Sequence, residues 1–262
     1  MIKLILSDMD GTLSHSDKSI PKKADAIFEE LLQRGYAVGI ATGRSLASVQ
    51  RDFPKFKDRF TIIAENGGVL FHQGKIIYTS KLDPSVVDQI TTEVRKYKDI
   101  VPILATAHAA YGLKEHERFA NTFHVYYPTL IWVDSFAEVD DDVVKMALYF
   151  EGYNSKDYEK IFAPIKGDSD LAISASEWMD FSKTGVNKGF GIRKLEELLN
   201  LRKDEIMAFG DYLNDYQMLQ EVGESYAMSN AHPEVKKVAK HIIGSNDEEA
   251  VLTTLEDFLR QA

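Results

Sequence analysis

The first residues of the chain, Ile2-Lys3-Leu4-Ile5-Leu6-Ser7, are almost wholly apolar and run straight into Asp8-Met9-Asp10-Gly11-Thr12. An apolar run without alternation reads as a strand buried on both faces, and such strands belong to sheets covered by helices on each side. This one ends in two carboxylates. Like charges about 4 Å apart repel by about 4 kcal/mol at an effective dielectric near 20, so the pair calls for a cation between them. Mg2+ takes one or two carboxylates together with phosphate oxygens. Gly11 lets the backbone turn sharply and bring its N–H groups towards an anion. Open α/β sheets place their ligands at this carboxyl edge, which makes the stretch a candidate metal and phosphate site. A plain turn is the competing reading. An EF-hand loop is excluded, because it has glycine sixth and Glu twelfth, whereas here the glycine is fourth and the twelfth residue is Ser19.

The same pattern recurs. Pro21, then Ala24, Ile27, Phe28, Leu31 and Leu32 on one face, and Gly35 at the end describe a helix. Tyr36 to Ala41 is a second buried strand, so strand, helix and strand form a parallel βαβ unit. It ends in Thr42-Gly43-Arg44, where a hydroxyl and an unhindered N–H suit phosphate oxygens; a helix cap would use the same Thr-Gly pair. Phe60 to Ala64 is a third strand, followed by Glu65-Asn66-Gly67-Gly68 and a hairpin of Val69 to Phe71 and Lys75 to Tyr78 across Gln73-Gly74.

The texture then changes. Asp83-Pro84 reads as a cap and first residue of a helix through Val87, Ile90, Val94 and Tyr97. Strands are expected at Val101 to Thr106, Thr129 to Val133, Val143 to Phe150, Leu171 to Ser174 and Trp178 to Phe181, with a helix at Tyr158 to Ile165. No element is assigned between 107 and 128. This α+β stretch reads as a domain inserted into the first, because the earlier pattern returns after it. A helix carries Phe190, Ile192, Leu195, Leu198 and Leu199, and the strand Glu205 to Phe209 ends in Gly210-Asp211-Tyr212-Leu213-Asn214-Asp215. Ser225 to Met228, a helix from Pro233, His241 to Ile243 and a helix holding Val251, Leu255, Phe258 and Leu259 complete it.

Composition enters as exclusion. With 262 residues the chain holds one large or two ordinary domains, and without cysteine it has no disulfides and no thiol nucleophile. A net charge of −10 argues against nucleic acid or an anionic membrane as partner. No stretch approaches the roughly 18 to 20 apolar residues of a membrane span, and a cytoplasmic protein is expected. His108, His116 and His124 have no metal-ligand spacing, and Trp132, Trp178, Tyr126 and Tyr127 are expected to be core or interface aromatics.

The ordered motifs Asp8-Met9-Asp10-Gly11-Thr12-Leu13, Ala41-Thr42-Gly43-Arg44, Glu65-Asn66-Gly67-Gly68, Gly185-Val186-Asn187-Lys188-Gly189 and Gly210-Asp211-Tyr212-Leu213-Asn214-Asp215 resemble the haloacid dehalogenase superfamily, most of all its Cof-type phosphatases with a large α+β cap (type IIB). The resemblance implies a Rossmann-like, doubly wound parallel-sheet core at 1–82 and 184–262, and an inserted cap at 83–183. It implies hydrolysis of a small phosphorylated metabolite, sugar phosphates foremost, through an aspartyl-phosphate. Asp8 would be the nucleophile and Asp10 the general acid and base. Mg2+ would be held by Asp8, the Asp10 carbonyl and Asp211, with Asn214 and Asp215 as ligands or behind them. Thr42, Gly43 and Lys188 would gather the phosphate oxygens, with Gly11, Arg44, Asn66 and Asn187 as further substrate-binding residues. Arg44 serves equally well as a surface ion-pair partner.

A monomer or weak homodimer is expected, with the cap hinging near Leu82-Asp83 and Lys183-Gly185. The alternatives are a phosphomutase of the phosphomannomutase kind and a phospholigand-binding protein. A mutase must hold a second phosphate, best done by arginines, and between Asp83 and Ser182 there are only Arg95 and Arg118. A protein that had lost its chemistry would lack one of Asp8, Asp10 and Asp211, all of which are present.

Overall fold

The computed structural model describes residues 1–261. The chain begins with β1 (Leu4–Ser7), α1 (Ala24–Gln33), β2 (Ala37–Ala41), α2 (Leu46–Asp52), β3 (Thr61–Ala64), β4 (Val69–His72) and β5 (Lys75–Thr79). Its middle part holds α3 (Pro84–Val94), β6 (Ile100–Thr106), β7 (Ala110–Leu113), α4 (Ala120–His124), β8 (Leu130–Val133), β9 (Val143–Phe150), α5 (Glu159–Phe162), β10 (Ser169–Ala175) and β11 (Trp178–Lys183). The last part holds α6 (Lys188–Leu199), β12 (Ile206–Gly210), α7 (Tyr216–Glu221), β13 (Glu224–Met228), α8 (Pro233–Val238), β14 (His241–Ile243) and α9 (Ala250–Gln261). Among the described residues no helix is long and apolar enough to cross a membrane.

Two compact units result, one of residues 1–43, 58–77 and 187 onward, the other of 44–57 and 78–186. The segment carrying α2 thus groups with the second unit rather than the first. Its Ser45 Oγ and Arg51 Nη1 each reach 3.4 Å to the carbonyls of Tyr126 and Val125.

The first unit is an eight-stranded sheet in the order β14-β13-β12-β1-β2-β3-β4-β5. From β14 to β3 every neighbouring pair is parallel, and the β3–β4 hairpin is antiparallel. With β12 on one side and β2 on the other, all of β1 is buried, which is why it reads as an unbroken apolar run. Ser7 is level with Phe209 on β12 and Ile40 on β2. The loops after β1, β2, β3 and β12 therefore leave from one edge of the sheet.

Helix α1 buries Ala24, Ile27, Phe28 and Leu31, the i, i+3, i+4, i+7 stripe, with Phe28 edge-on to Phe60 at 5.5 Å. Each such apolar side chain contributes about 1.5 to 3 kcal/mol on burial. On α6 the apolar face is narrower than the periodicity indicates. Ile192 and Leu195 are buried, but Leu198 is 46% exposed. Close approach there is made through two buried glycines, Gly189 against Gln217 of α7 and Gly191 against Ile63 and Leu70 of the sheet.

The second unit is a six-stranded sheet in the order β10-β11-β9-β6-β7-β8, antiparallel except for β7–β8. Strand alternation divides its side chains between two cores. On one face Val86, Val87, Ile90 and Val94 of α3 cover Leu104, Met146, Leu148, Met179 and Phe181. On the other, Phe119, Phe123 and Tyr127 pack with Val101, Ile103, Ala105 and Ala147, joined by the partly buried Trp132, Tyr149 and Trp178. Tyr126 is 53% exposed and lies edge-on to the Trp178 ring at 5.5 Å.

Candidate active site

Strand β1 carries Asp8 to the edge of the sheet, where its N–H still donates to the Phe209 carbonyl at 3.0 Å. The chain then wraps around Met9, whose carbonyl accepts from the N–H groups of Thr12, Leu13 and Ser14. Gly11 makes that turn possible. Its φ is +81°, and a Cβ there would lie 2.4 Å from Asp211 Oδ2. Gly11→Ala is therefore expected to lower thermal stability by about 1 to 3 kcal/mol through backbone strain and displacement of the Asp211 carboxylate. Unchanged thermal unfolding would show that the turn relaxes freely.

Asp8, Asp211 and Asp215 present carboxylate oxygens within 4.8 Å of one another. Into this cluster α6 inserts Lys188, fully buried, with Nζ 2.6 Å from Asp8 Oδ1 and 2.6 Å from Asp215 Oδ1. The position of Lys188 follows from its helix start. Asn187 caps α6 by accepting the Phe190 N–H at 2.9 Å. Gly67, at φ +102°, lets the β3 loop close on the Asn187 carbonyl, which a Cβ would approach to 2.4 Å.

Asp215 is committed to structure on its other oxygen, which accepts the N–H groups of Asp211 and Tyr212 at 2.9 and 3.1 Å. Asp211 Oδ1 accepts from Thr12 Oγ1 at 2.8 Å.

One ammonium among three carboxylates leaves negative charge in excess. Burial pushes the Asp8 carboxyl up to about 8, with Lys188 pulling it down and Asp215 and Asp211 pushing it further up. Burial likewise raises Asp211 to about 6, against the Thr12 hydrogen bond and with Asp215. Burial alone would lower the Lys188 ammonium, but Asp215 and Asp8 outweigh it and raise it above the usual lysine value. Three carboxylates and one ammonium, all ionised, leave a deficit that a divalent cation cancels. An all-oxygen donor set is the kind that holds Mg2+, so the residues present fit that ion.

The remaining expected residues are distributed around this centre. Asp10 is partly exposed and pairs with Lys18 at 3.0 Å. Thr42 is buried, donating its N–H to the Ile63 carbonyl and accepting the Asn66 N–H on its own. Asn66 takes a left-handed conformation, φ 52° and ψ 34°, and its Oδ1 accepts from Asn214 Nδ2 at 3.1 Å. Asn66 thus links the β2 loop to the β12 loop. Arg44 Nη1 donates to Asp52 Oδ2 at 3.0 Å. Asn187 spends its side-chain oxygen on the helix cap.

Three residues that shape the site carry no expectation from sequence. Thr12 holds Asp211, Lys18 holds Asp10, and Asn230 Nδ2 donates to the Gly11 carbonyl at 2.8 Å. Asn230 lies just past the end of β13, so the strand-edge rule that singles out the other loops applies to it as well.

The family model described as haloacid dehalogenase-like hydrolase matches residues 5–255. The chain belongs to the haloacid dehalogenase-like hydrolases. This haloacid dehalogenase-like hydrolase is 28% identical to the 5-amino-6-(5-phospho-D-ribitylamino)uracil phosphatase of Escherichia coli (strain K12), over 99% of its own length and 97% of the relative's. In structure it is similar to the SMU.1108c protein of Streptococcus mutans, with a TM-score of 0.83 and 26% identity over 99% of this chain and 100% of that one. Its fold is shared with a haloacid dehalogenase subclass IIB sugar phosphatase, at a TM-score of 0.79 and 24% identity over 98% of both chains. By this membership it is a phosphoric monoester hydrolase with an α/β core.

Proposed function

We propose that the protein is a Mg2+-dependent phosphatase that hydrolyses small phosphorylated metabolites, sugar phosphates foremost, through an aspartyl-phosphate on Asp8. The observation that carries this is the Asp8–Lys188–Asp215 ion cluster beside Asp211, at the edge where parallel strands end. The first unit is the catalytic core in this reading, and the second reads the alcohol part of the ester.

Lys188 engages Asp8 Oδ1 and leaves Oδ2 for attack. That oxygen forms the bond to phosphorus as the ester P–O bond breaks, and Asp10 gives its proton to the departing alkoxide. Water then attacks the phosphorus of the aspartyl-phosphate, Asp10 takes its proton, and phosphate leaves with Asp8 regenerated. Having given up its proton in the first step, Asp10 is already the carboxylate that the second step requires. The Thr42 hydroxyl and Gly43 N–H receive phosphate oxygens, and the Asn66–Asn214 bond keeps the two loops in register. Mg2+, held by the Asp8 and Asp211 carboxylates and the Asp10 carbonyl with Asp215 and Asn214 behind them, would supply positive charge against the phosphate oxygens.

Hydrolysis rather than phosphate relocation is favoured by the second unit, where Arg118 is engaged by Glu151 at 2.8 Å. The test is inorganic phosphate release from sugar phosphates, nucleotides and cofactor phosphates, with Mg2+ and with EDTA. Release only with Mg2+ is expected. Interconversion of hexose 1- and 6-phosphates without release would instead mean a mutase.

Metal affinity is expected to depend on pH in a defined direction. With Asp8 near 8 and Asp211 near 6, protons occupy ligand oxygens below those values, and Mg2+ must displace them. Binding therefore tightens as pH rises from 6 to 8, by up to about tenfold per unit for each proton released. Calorimetric titration in buffers of different ionisation enthalpy reads both numbers, and a pH-independent affinity would contradict the charge assignment.

A further inference from the structure

The loop that carries Asp10 closes on itself. Met9 gathers the N–H groups of Thr12, Leu13 and Ser14 on its carbonyl, and Asp10 forms an isolated parallel bridge with Ser14. The loosest point of this ring is Gly11, which has no side chain to restrict its φ and ψ and takes φ +81°. Rotation about Gly11 would turn the adjoining Asp10 out of place. Asp8 is held by other means, with its N–H on the Phe209 carbonyl at 3.0 Å and its Oδ1 on Lys188 at 2.6 Å.

Two asparagines, from the loops after β13 and β14, fix the ring from outside. Asn230 Nδ2 donates to the Gly11 carbonyl at 2.8 Å, while the Thr12 N–H of the same peptide donates to the Met9 carbonyl at 3.3 Å, so this peptide plane is held at both ends. Asn230 Oδ1 accepts the Asn246 N–H at 3.2 Å, and Asn246 Nδ2 donates to the Ser14 carbonyl at 2.9 Å. One hydrogen-bonded path therefore runs from Gly11 through Asn230 and Asn246 to Ser14. Asn246 is only 5% exposed, and burying an amide is unfavourable unless it is hydrogen-bonded in this way. The segment that carries Asn230 also reaches the other carboxylate loop, because the His232 N–H donates to the Asp211 carbonyl at 2.8 Å. Its own base is the Ser229 N–H on the Gly244 carbonyl at 3.1 Å. All of these residues belong to the first unit.

We propose that Asn230 and Asn246 are positioning residues of the hydrolase, a clamp that holds the Asp10 loop in one orientation and at one distance from Asp211. They act through Gly11 and Ser14. With the clamp closed, the Asp10 side chain reaches the leaving oxygen, and its carbonyl and the Asp211 carboxylate face one cation. This inference rests on the hydrolase reading above. Opening the clamp displaces the proton donor and leaves the nucleophile in place, so esters whose leaving group needs a proton suffer most.

The test measures kcat/KM of the full chain with Mg2+ for wild type, Asn230→Ala, Asn246→Ala and the double variant. The substrates are glycerol phosphate, whose alkoxide needs the Asp10 proton, and p-nitrophenyl phosphate, whose phenolate leaves without one. In Asn230→Ala the value on glycerol phosphate is expected to fall at least about tenfold, and on p-nitrophenyl phosphate by less than about threefold. Calorimetric Mg2+ affinity should fall by about tenfold. Asn246→Ala should show the same pattern, and the double variant should be no worse than the more affected single one, because both act on one path. If Asn246→Ala does not fold, Asn230→Ala, altered at an exposed side chain, decides alone. Equal losses on both esters, an unchanged value on glycerol phosphate, or losses that multiply in the double variant would overturn the clamp while leaving the hydrolase reading intact. No phosphate release by the wild type from any ester would overturn the hydrolase reading itself. Calorimetry then decides the clamp, and an unchanged Mg2+ affinity in Asn230→Ala would overturn it too.

Discussion

Asp8→Asn is expected to lower phosphate release by more than about 1000-fold while leaving the protein folded and, without metal, no less stable than the wild type. The amide has the shape of the carboxylate but no nucleophilic oxygen, so the aspartyl-phosphate cannot form. Stability moves the other way because the wild-type carboxyl is held at about 8, chiefly by burial. A carboxyl whose folded value lies above its unfolded value near 4 supports the fold fully below pH 4 and loses that contribution as pH rises through 8. The amide of the variant does not titrate and has no such loss. The metal-free melting curves of the two proteins should therefore converge near pH 4 and separate in favour of the variant by pH 8. With Mg2+ the order reverses, because the variant has lost a ligand. Phosphate release and a pH series of melting curves decide it, and a variant that retains a tenth of wild-type turnover would remove Asp8 from the nucleophile role.

The parts of this site that sequence exposes are those placed by strand ends. Strands β1, β3 and β12 are buried along their length and therefore appear as apolar runs, and the residues just after such a run in a parallel sheet stand at the ligand edge. Asp8, Asn66 and Asp211 are legible for that reason, and Thr42 stands likewise after β2, which is buried from Val38 to Ala41. Elements whose stability comes only from packing are not legible. Strand β7 is Ala-Tyr-Gly-Leu, too short for a period, and Gly112 lies there under the Trp132 ring. Helix α2 has seven residues, and its one local signal is the Ser45 cap that accepts the Ser48 N–H. Thr12 sits within the first motif, but its partner Asp211 is 199 residues away. Spacing along the chain cannot show that bond.

Lys188→Met should have the largest combined effect on stability and turnover. The methionine keeps most of the side-chain volume inside α6 and removes the charge, so the loss is electrostatic rather than a cavity. Asp8 and Asp215 then face each other in a buried site without the ammonium that lies 2.6 Å from each. Breaking a buried pair in this way costs about 3 to 5 kcal/mol, which for a chain of this size lowers the melting temperature by roughly 10 °C. Because Asp215 also holds the N–H groups of Asp211 and Tyr212, its displacement disturbs the loop that carries Asp211. Phosphate release should fall by about 1000-fold or more, since the dianionic ester then meets an uncompensated cluster. Adding Asp215→Asn removes one of the stranded charges. In a double-mutant cycle it should recover part of the stability lost in Lys188→Met and none of the turnover. Melting temperatures and phosphate release for the four proteins read both outcomes. Additive stability losses would mean that Lys188 and Asp215 act independently, and wild-type melting of Lys188→Met would mean that the ion cluster does not hold the site together.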